Sequence, residues 1–146
     1  MKKILLVLIS VSLFAKGLMA EDIAGTWMTI DDETKQAKSY VNIWVHNGIA
    51  YGKISKLLNR SPSEDPDPLC TECKGDLNGK KVVGLTILWG LKQDGDEWKG
   101  GNILDPKNGK VYKCKIKATN GGQTLDVRGF IGFSLIGRTQ VWKRLK

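Results

Sequence analysis

The 146-residue sequence has one histidine, three cysteines and four prolines. His46 sits beside the Asn47-Gly48 dipeptide with no base or nucleophile next to it, and Ser55 and Ser134 stand outside any motif. Nucleophilic catalysis needs a nucleophile and a partnered base. None is visible, so the chain reads as a non-enzyme. A structural metal centre needs about four ligands. His46 and the cysteines would have to converge from distant segments, and no spacing requires it. The carboxylates Asp31, Asp32, Glu33 and Glu64, Asp65, Asp67 gather in turns without the ligand spacing of a calcium loop. No metal or cofactor is expected. After the first 20 residues there is no apolar run near the roughly 20 residues that span a bilayer as a helix, so a membrane-spanning protein is not expected. Helical periodicity is missing from the same region.

The N-terminus carries its own signature. Lys2 and Lys3 form a basic start, Ile4 to Phe14 an apolar segment, and Ala20 a small residue before Glu21. This predicts a secretory signal peptide over residues 1–20, cut after Ala20 although Leu18 is large for its position. No cysteine follows the apolar segment, so lipid attachment there is not expected. The mature chain, 21–146, is expected as one domain in the periplasm or outside the cell. The whole chain has 23 basic and 15 acidic residues; the leader holds three of the lysines, leaving 20 against 15, a net charge of +5. The lysines are dispersed, which excludes nucleic acid as the natural partner. Solvated strand faces explain most of them, with weak attraction to anionic surfaces or ligands as the alternative.

What the mature chain does have is strand and turn chemistry. Ser39 to His46 alternates, with Val41, Ile43 and Val45 on one face and Tyr40, Asn42, Trp44 and His46 on the other. Asn47-Gly48 signals a tight hairpin, and Ile49 to Leu58 returns with Tyr51, Lys53, Ser55 and Leu57 sharing a face. Val82 to Trp89 reads as a buried strand, Asp94-Gly95 as a second hairpin turn, and Asp105-Pro106-Lys107-Asn108-Gly109 as a turn with Pro presetting φ. Thr124 to Arg128 and Arg138 to Leu145 complete the set. The latter places Arg138, Gln140, Trp142 and Arg144 on one face. About eight short strands at even spacing predict an all-β antiparallel up-and-down barrel. Its interior is either filled or holds one small ligand.

Between the strands, residues 59–80 form a long loop with Pro62, Pro66, Pro68 and the Cys70-Thr71-Glu72-Cys73 spacing. A redox pair would need a helix N-terminus to lower a thiol pKa, and none is predicted here. A structural disulfide is the expectation, Cys70 with Cys73, or one of them with Cys114 as the alternative. Cys114 shares a strand face with Tyr112 and Ile116 and should be buried.

Gly25-x-Trp27 on the first strand and Arg144 on the last resemble the signature of the calycin superfamily, the lipocalins and fatty-acid-binding proteins. That resemblance implies a lipocalin-like barrel with Trp27 near one end and Arg144 lying across it. Over nearly the whole mature chain, the segments GTW, YGKI, CTECKGD, VGLTILWGL, WKGGNILDPKNGKVYKCK and VRGFIGFSLIGRTQVW resemble a bacterial exported family known as domain of unknown function 2147. This resemblance implies an envelope protein with no established enzymatic activity. Other lipocalin motifs are not evident. The expected function is binding of a small apolar or amphipathic ligand, with Trp44, Tyr51, Trp89, Trp98, Tyr112, Arg138 and Trp142 as candidate binding residues. Two alternatives stand beside it: an interaction module for another envelope protein, using the 59–80 loop and an open barrel edge, and a thiol-redox protein using Cys70 and Cys73.

Overall fold

Eight antiparallel strands close into a barrel in the order β1 to β8, each paired with its neighbour in sequence and β8 returning to β1. The computed structural model describes residues 22–133 and 136–145. The leader and its cleavage site lie outside the described residues, as does Ser134. The strands are β1 (Gly25–Ile30), β2 (Ala37–His46), β3 (Ile49–Leu57), β4 (Thr86–Asp94), β5 (Glu97–Asp105), β6 (Lys110–Thr119), β7 (Thr124–Phe130) and β8 (Gly137–Arg144). Two three-residue 3-10 turns, Gly75–Leu77 and Asn120–Gly122, are the helical elements among the described residues. None is long and apolar enough to cross a membrane.

The turn chemistry works as the sequence predicts. Asn47 and Gly48 both take positive φ, 50° and 75°, so β2 and β3 join through two residues. Gly95 at φ 62° does the same between β4 and β5. In the β5–β6 turn the Gly109 N–H donates to the Asp105 carbonyl at 2.8 Å, and the Lys107 N–H donates to Asp105 Oδ1 at 2.9 Å.

Two strand limits and one face alternation differ from the sequence reading for a clear backbone reason. The strand expected from Val82 begins at Thr86, because Gly84 at φ 94° turns the chain before it. Val82 instead donates to the Pro68 carbonyl at 2.9 Å, inside the long connection. β7 runs on to Phe130, since its pairing with β6 and β8 continues through Gly129. On β3 the expected alternation slips. A bulge in the β2–β3 ladder at Tyr40/Val41 pairs Lys56 with Tyr40 and Leu57 with Ser39. A bulge inserts one unpaired residue and shifts everything beyond it by one face. Lys56 is therefore exposed and Leu57 comes round to the interior side with Ser39.

Inward residues at alternate positions make the core: Val41 and Ile43 from β2, Ala50 and Ile54 from β3, Leu88 and Leu91 from β4, Cys114 and Ile116 from β6, Leu125 and Val127 from β7. The β1–β8 closure is brief. Only Trp27↔Arg144 and Met28↔Lys143 pair there, whereas β7 and β8 pair over seven residues.

The 58–85 connection is not free loop. Leu69 bridges to Lys81, and the Cys70–Cys73 disulfide lies buried beneath it. The Cys70 sulfur is 3.5 Å from the Pro106 carbonyl, and Gly109 is packed against the Glu72 carbonyl so closely that a Cβ would collide with it. The disulfide thus seats the connection on the β5–β6 turn.

Candidate functional site

The direction of β1 decides which end of the barrel is shut. Ile23 and Trp27, both fully buried, enter at one end, and β1 climbs away from it. Gly25 adopts φ 139° at the start of the strand. The Trp27 Nε1–H donates to the Ile23 carbonyl at 2.9 Å. The Arg144 guanidinium lies 4.3 Å from the Trp27 ring centroid, where the indole face attracts a cation. Its three nitrogens donate to the carbonyls of Gly122 (2.7 Å), Ala24 (2.9 Å) and Asp22 (2.6 Å). One side chain thereby ties the first strand, the β6–β7 connection and the last strand together.

The other end is open. A cavity of about 930 Å³ descends from it, with Ile54, Ile87, Ile103, Val127 and Trp142 among its apolar walls. This lies at the upper part of the 300–1,000 Å³ range of small-molecule sites. Polar and charged side chains share the lining, Asp31, Lys38, Arg60, Asp105 and Lys107 among them. Thr29 and Ser39 are buried, 6% exposed each, and their hydroxyls meet at 2.7 Å across β1 and β2. A hydroxyl has one proton and two acceptor lone pairs, so this pair keeps acceptor capacity at the cavity. On β8 the Trp142 Nε1–H donates to Gln140 Oε1 (3.2 Å), and Gln140 Nε2 donates to Asp32 Oδ2 (2.9 Å). Arg138 meets the same carboxylate oxygen at 3.0 Å. Asp32, from the β1–β2 connection, therefore clasps β8 at the level where the backbone pairing between β1 and β8 has ended.

Neighbouring rim groups are held in a similar way. Asp31 Oδ1 accepts the N–H groups of Thr34 (2.8 Å) and Glu33 (2.9 Å), and these hydrogen bonds, with Lys38 beyond them, hold its carboxyl below the ordinary 3.8. Arg60 pairs with Glu64 at 3.0 Å. Tyr112 lines the cavity, and its hydroxyl accepts a hydrogen bond from Asn108 Nδ2 at 3.3 Å.

Of the residues singled out in the sequence, Tyr112, Arg138 and Trp142 come together at this cavity. The others do not. Trp44 and Tyr51 stand on the outer face, because Val41, Ile43, Ala50 and Gly52 take the inward positions of the same strands. They stack at 5.6 Å with planes 18° apart, and Lys53 Nζ lies 5.9 Å from the Trp44 ring centroid. Trp89 is half-buried opposite Asn102 and away from the cavity wall. Trp98 fills core space near the β4–β5 turn, and its buried Nε1–H has no hydrogen-bond partner. Thr29, Ser39, Gln140 and Asp32 were not singled out. Thr29 and Ser39 did carry a signal: each continues the inward alternation of an apolar strand, Trp27-x-Thr29 and Ser39-x-Val41-x-Ile43, with a polar residue at its cavity end.

Burial pushes the Cys114 thiol up to about 12, far from a reactive range. Among the described residues no three His, Cys, Asp or Glu side chains gather as a metal site.

No curated protein matches this chain. Among solved structures, a protein from the human pathogen Helicobacter pylori, HP1028, described as belonging to the lipocalin family, superposes with a TM-score of 0.74. It is 22% identical, and the match covers 86% of this chain and 84% of that one. At that identity the likeness shows the fold: a lipocalin-like closed barrel of eight strands. The model of a family described as "Uncharacterized protein conserved in bacteria (DUF2147)" matches residues 25–144, from the glycine before Trp27 to the arginine that covers it, and the chain belongs to that family.

Proposed function

We propose that this protein is exported, loses residues 1–20, and binds a small apolar or amphipathic ligand in the open end of its barrel. One observation carries the reading: a cavity of about 930 Å³ at the open end, lined by apolar side chains together with polar and charged ones. That combination buries a hydrocarbon body and orients one polar group. The proposed contacts are Ile103, Val127 and Trp142 for the body, and Thr29, Ser39 and Gln140 for the polar group. Arg138 stands at the rim with Tyr112. A lipocalin-type architecture, the family to which the HP1028 description assigns that protein, supports the same reading.

Two observations weigh against a thiol-redox role. Both sulfurs belong to residues only 1% and 3% exposed, and they pack under the β5–β6 turn, where a thiolate would have no approach. An envelope-protein partner on the 59–80 loop is the second reading, without the open barrel edge expected from the sequence, because the strands close into a ring.

Native mass spectrometry of protein purified from its own cell envelope tests the proposal. The expected result is a species heavier than the mature chain by one small molecule, lost when Val127→Trp fills the cavity. Bare protein from the native source, or a ligand retained by Val127→Trp, would overturn it. A co-purified second protein would favour the partner reading.

A further inference from the structure

The exposed large apolar side chains are not spread evenly. The three most exposed in the described structure are Phe133 (85%), Ile136 (67%) and Ile131 (61%), and all belong to the turn between β7 and β8. This turn stands at the open end: Phe130, Ile131 and Ile136 also border the cavity mouth. It is anchored at its base, where the Ile131 N–H donates to the Ile136 carbonyl at 2.9 Å and the Ile136 N–H to the Phe133 carbonyl at 3.1 Å. Ile131, Phe133 and Ile136 therefore present their side chains to solvent. Single exposed apolar residues are ordinary, but a cluster of this kind marks an interaction surface.

Charge around the turn indicates the partner. At the open end, four acids near β8 and the long connection have basic partners: Asp31 with Lys38, Asp32 with Arg138, Glu64 with Arg60, Asp67 with Lys81. On the β6 side three lysines stand against one acid of the β5–β6 ladder, Asp105, which lies opposite Lys110. Lys107 and Lys110 flank the adjacent β5–β6 turn, and Lys113 pairs with Phe130 across the β6–β7 ladder. All three are exposed, and none makes an ion pair among the described residues. Beside Lys110, Val111 adds a half-exposed apolar side chain on the same strand. Apolar side chains at a tip, backed by an excess of ammonium groups, match a bilayer surface. The tip reaches the acyl boundary while the lysines meet phosphate groups.

We propose that the β7–β8 turn docks the open end of the barrel onto an anionic phospholipid bilayer, with Ile131, Phe133 and Ile136 entering the interface and Lys107, Lys110 and Lys113 holding lipid phosphates. The cavity mouth would then face the membrane. This inference does not depend on the cavity being occupied.

Flotation of the mature chain with vesicles tests it. Binding is expected on vesicles of phosphatidylglycerol and phosphatidylethanolamine, weakening with added salt and on phosphatidylcholine alone. Phe133→Asp should lower partitioning about tenfold or more. Replacing Lys113 with Gln should lower it about fivefold on the anionic vesicles and leave phosphatidylcholine unaffected. Phe133→Trp supplies a reporter whose emission should move to shorter wavelength with anionic vesicles. The proposal fails if the wild type does not float, if Phe133→Asp floats equally well, or if the Phe133→Trp emission stays fixed. It also fails if the wild type is a dimer that Phe133→Asp dissociates while neither floats, since the turn would then be a self-association surface.

Discussion

The two ends of this barrel use the same strands to opposite effect. At the closed end, Trp27 and Arg144 spend their donors on backbone carbonyls, those of Ile23, Asp22, Ala24 and Gly122. At the open end, Thr29, Ser39, Gln140 and Arg138 engage one another or Asp32 and still face a cavity. Satisfied polar groups fix one structure; polar groups with spare capacity can take a ligand. On the proposed function, stability resides at the closed end and selectivity at the open one.

The largest effect should come from breaking the closed end. Trp27→Ala removes a fully buried side chain and should cost about 3–5 kcal/mol, read from denaturant unfolding. Arg144→Ala should cost less, and a double-mutant cycle should show coupling of about 0.5–2 kcal/mol with Trp27. Additive losses would separate the two residues and dissolve the closed end as a unit.

Replacing Cys70 and Cys73 together by Ser probes the other end. The pair closes a loop over a sequence separation of 3, so the loss should be about 2 kcal/mol. Hydrogen exchange should rise in the 58–85 connection and the β5–β6 turn while β1 and β8 stay protected. Uniform loss of protection would mean the ends are not independent.

Cys114 lies buried between them on β6 and gives a pH signature. Its thiol titrates near 9.0 unfolded and at about 12 folded, so the folded state retains the proton longer. Its contribution is intact below pH 9.0 and declines as pH rises toward about 12, at about 1.4 kcal/mol per pH unit. Cys114→Ala should remove that component from stability measured between pH 9 and 11. An identical alkaline decline in the variant would refute it.

The smallest stability effect belongs to the cavity. Thr29→Val keeps the shape and removes one hydroxyl, which should cost at most about 1 kcal/mol because Ser39 can still turn to solvent in the cavity. Ligand retention in native mass spectrometry should fall much more than the melting temperature does. A stability loss matching that of Trp27→Ala would erase the distinction between the ends.

Much of this architecture was legible because it rests on local chemistry. Asn47-Gly48 and Asp105 to Gly109 specify their turns within a few residues, and the even spacing of strands points to a barrel. Arg144 over Trp27 was implied by resemblance to calycins. The cavity was less legible. Alternation divides a strand into two faces without saying which is inside, so Trp44 and Tyr51 ranked with Trp142 although they stand outside. The inward turn of Leu57 depends on a bulge that no residue type announces, and the clasp of Asp32 on Gln140 joins residues separated by 108 positions. Such contacts follow from closure of the sheet rather than from any segment of it.

Closure itself has a consequence in time. Arg144 reaches Ala24 and Asp22 across 120 and 122 positions of the chain. Contacts between such distant residues form late, since most of the entropy of the chain must be lost before they reward it. Consecutive hairpins can assemble as they appear, but the ring cannot shut until β8 is available. Until β8 pairs with β1 the sheet stays an open curved surface with its interior accessible. Arg144 thus marks the shutting of the ring, and on the proposed function a ligand present before that moment is enclosed rather than admitted.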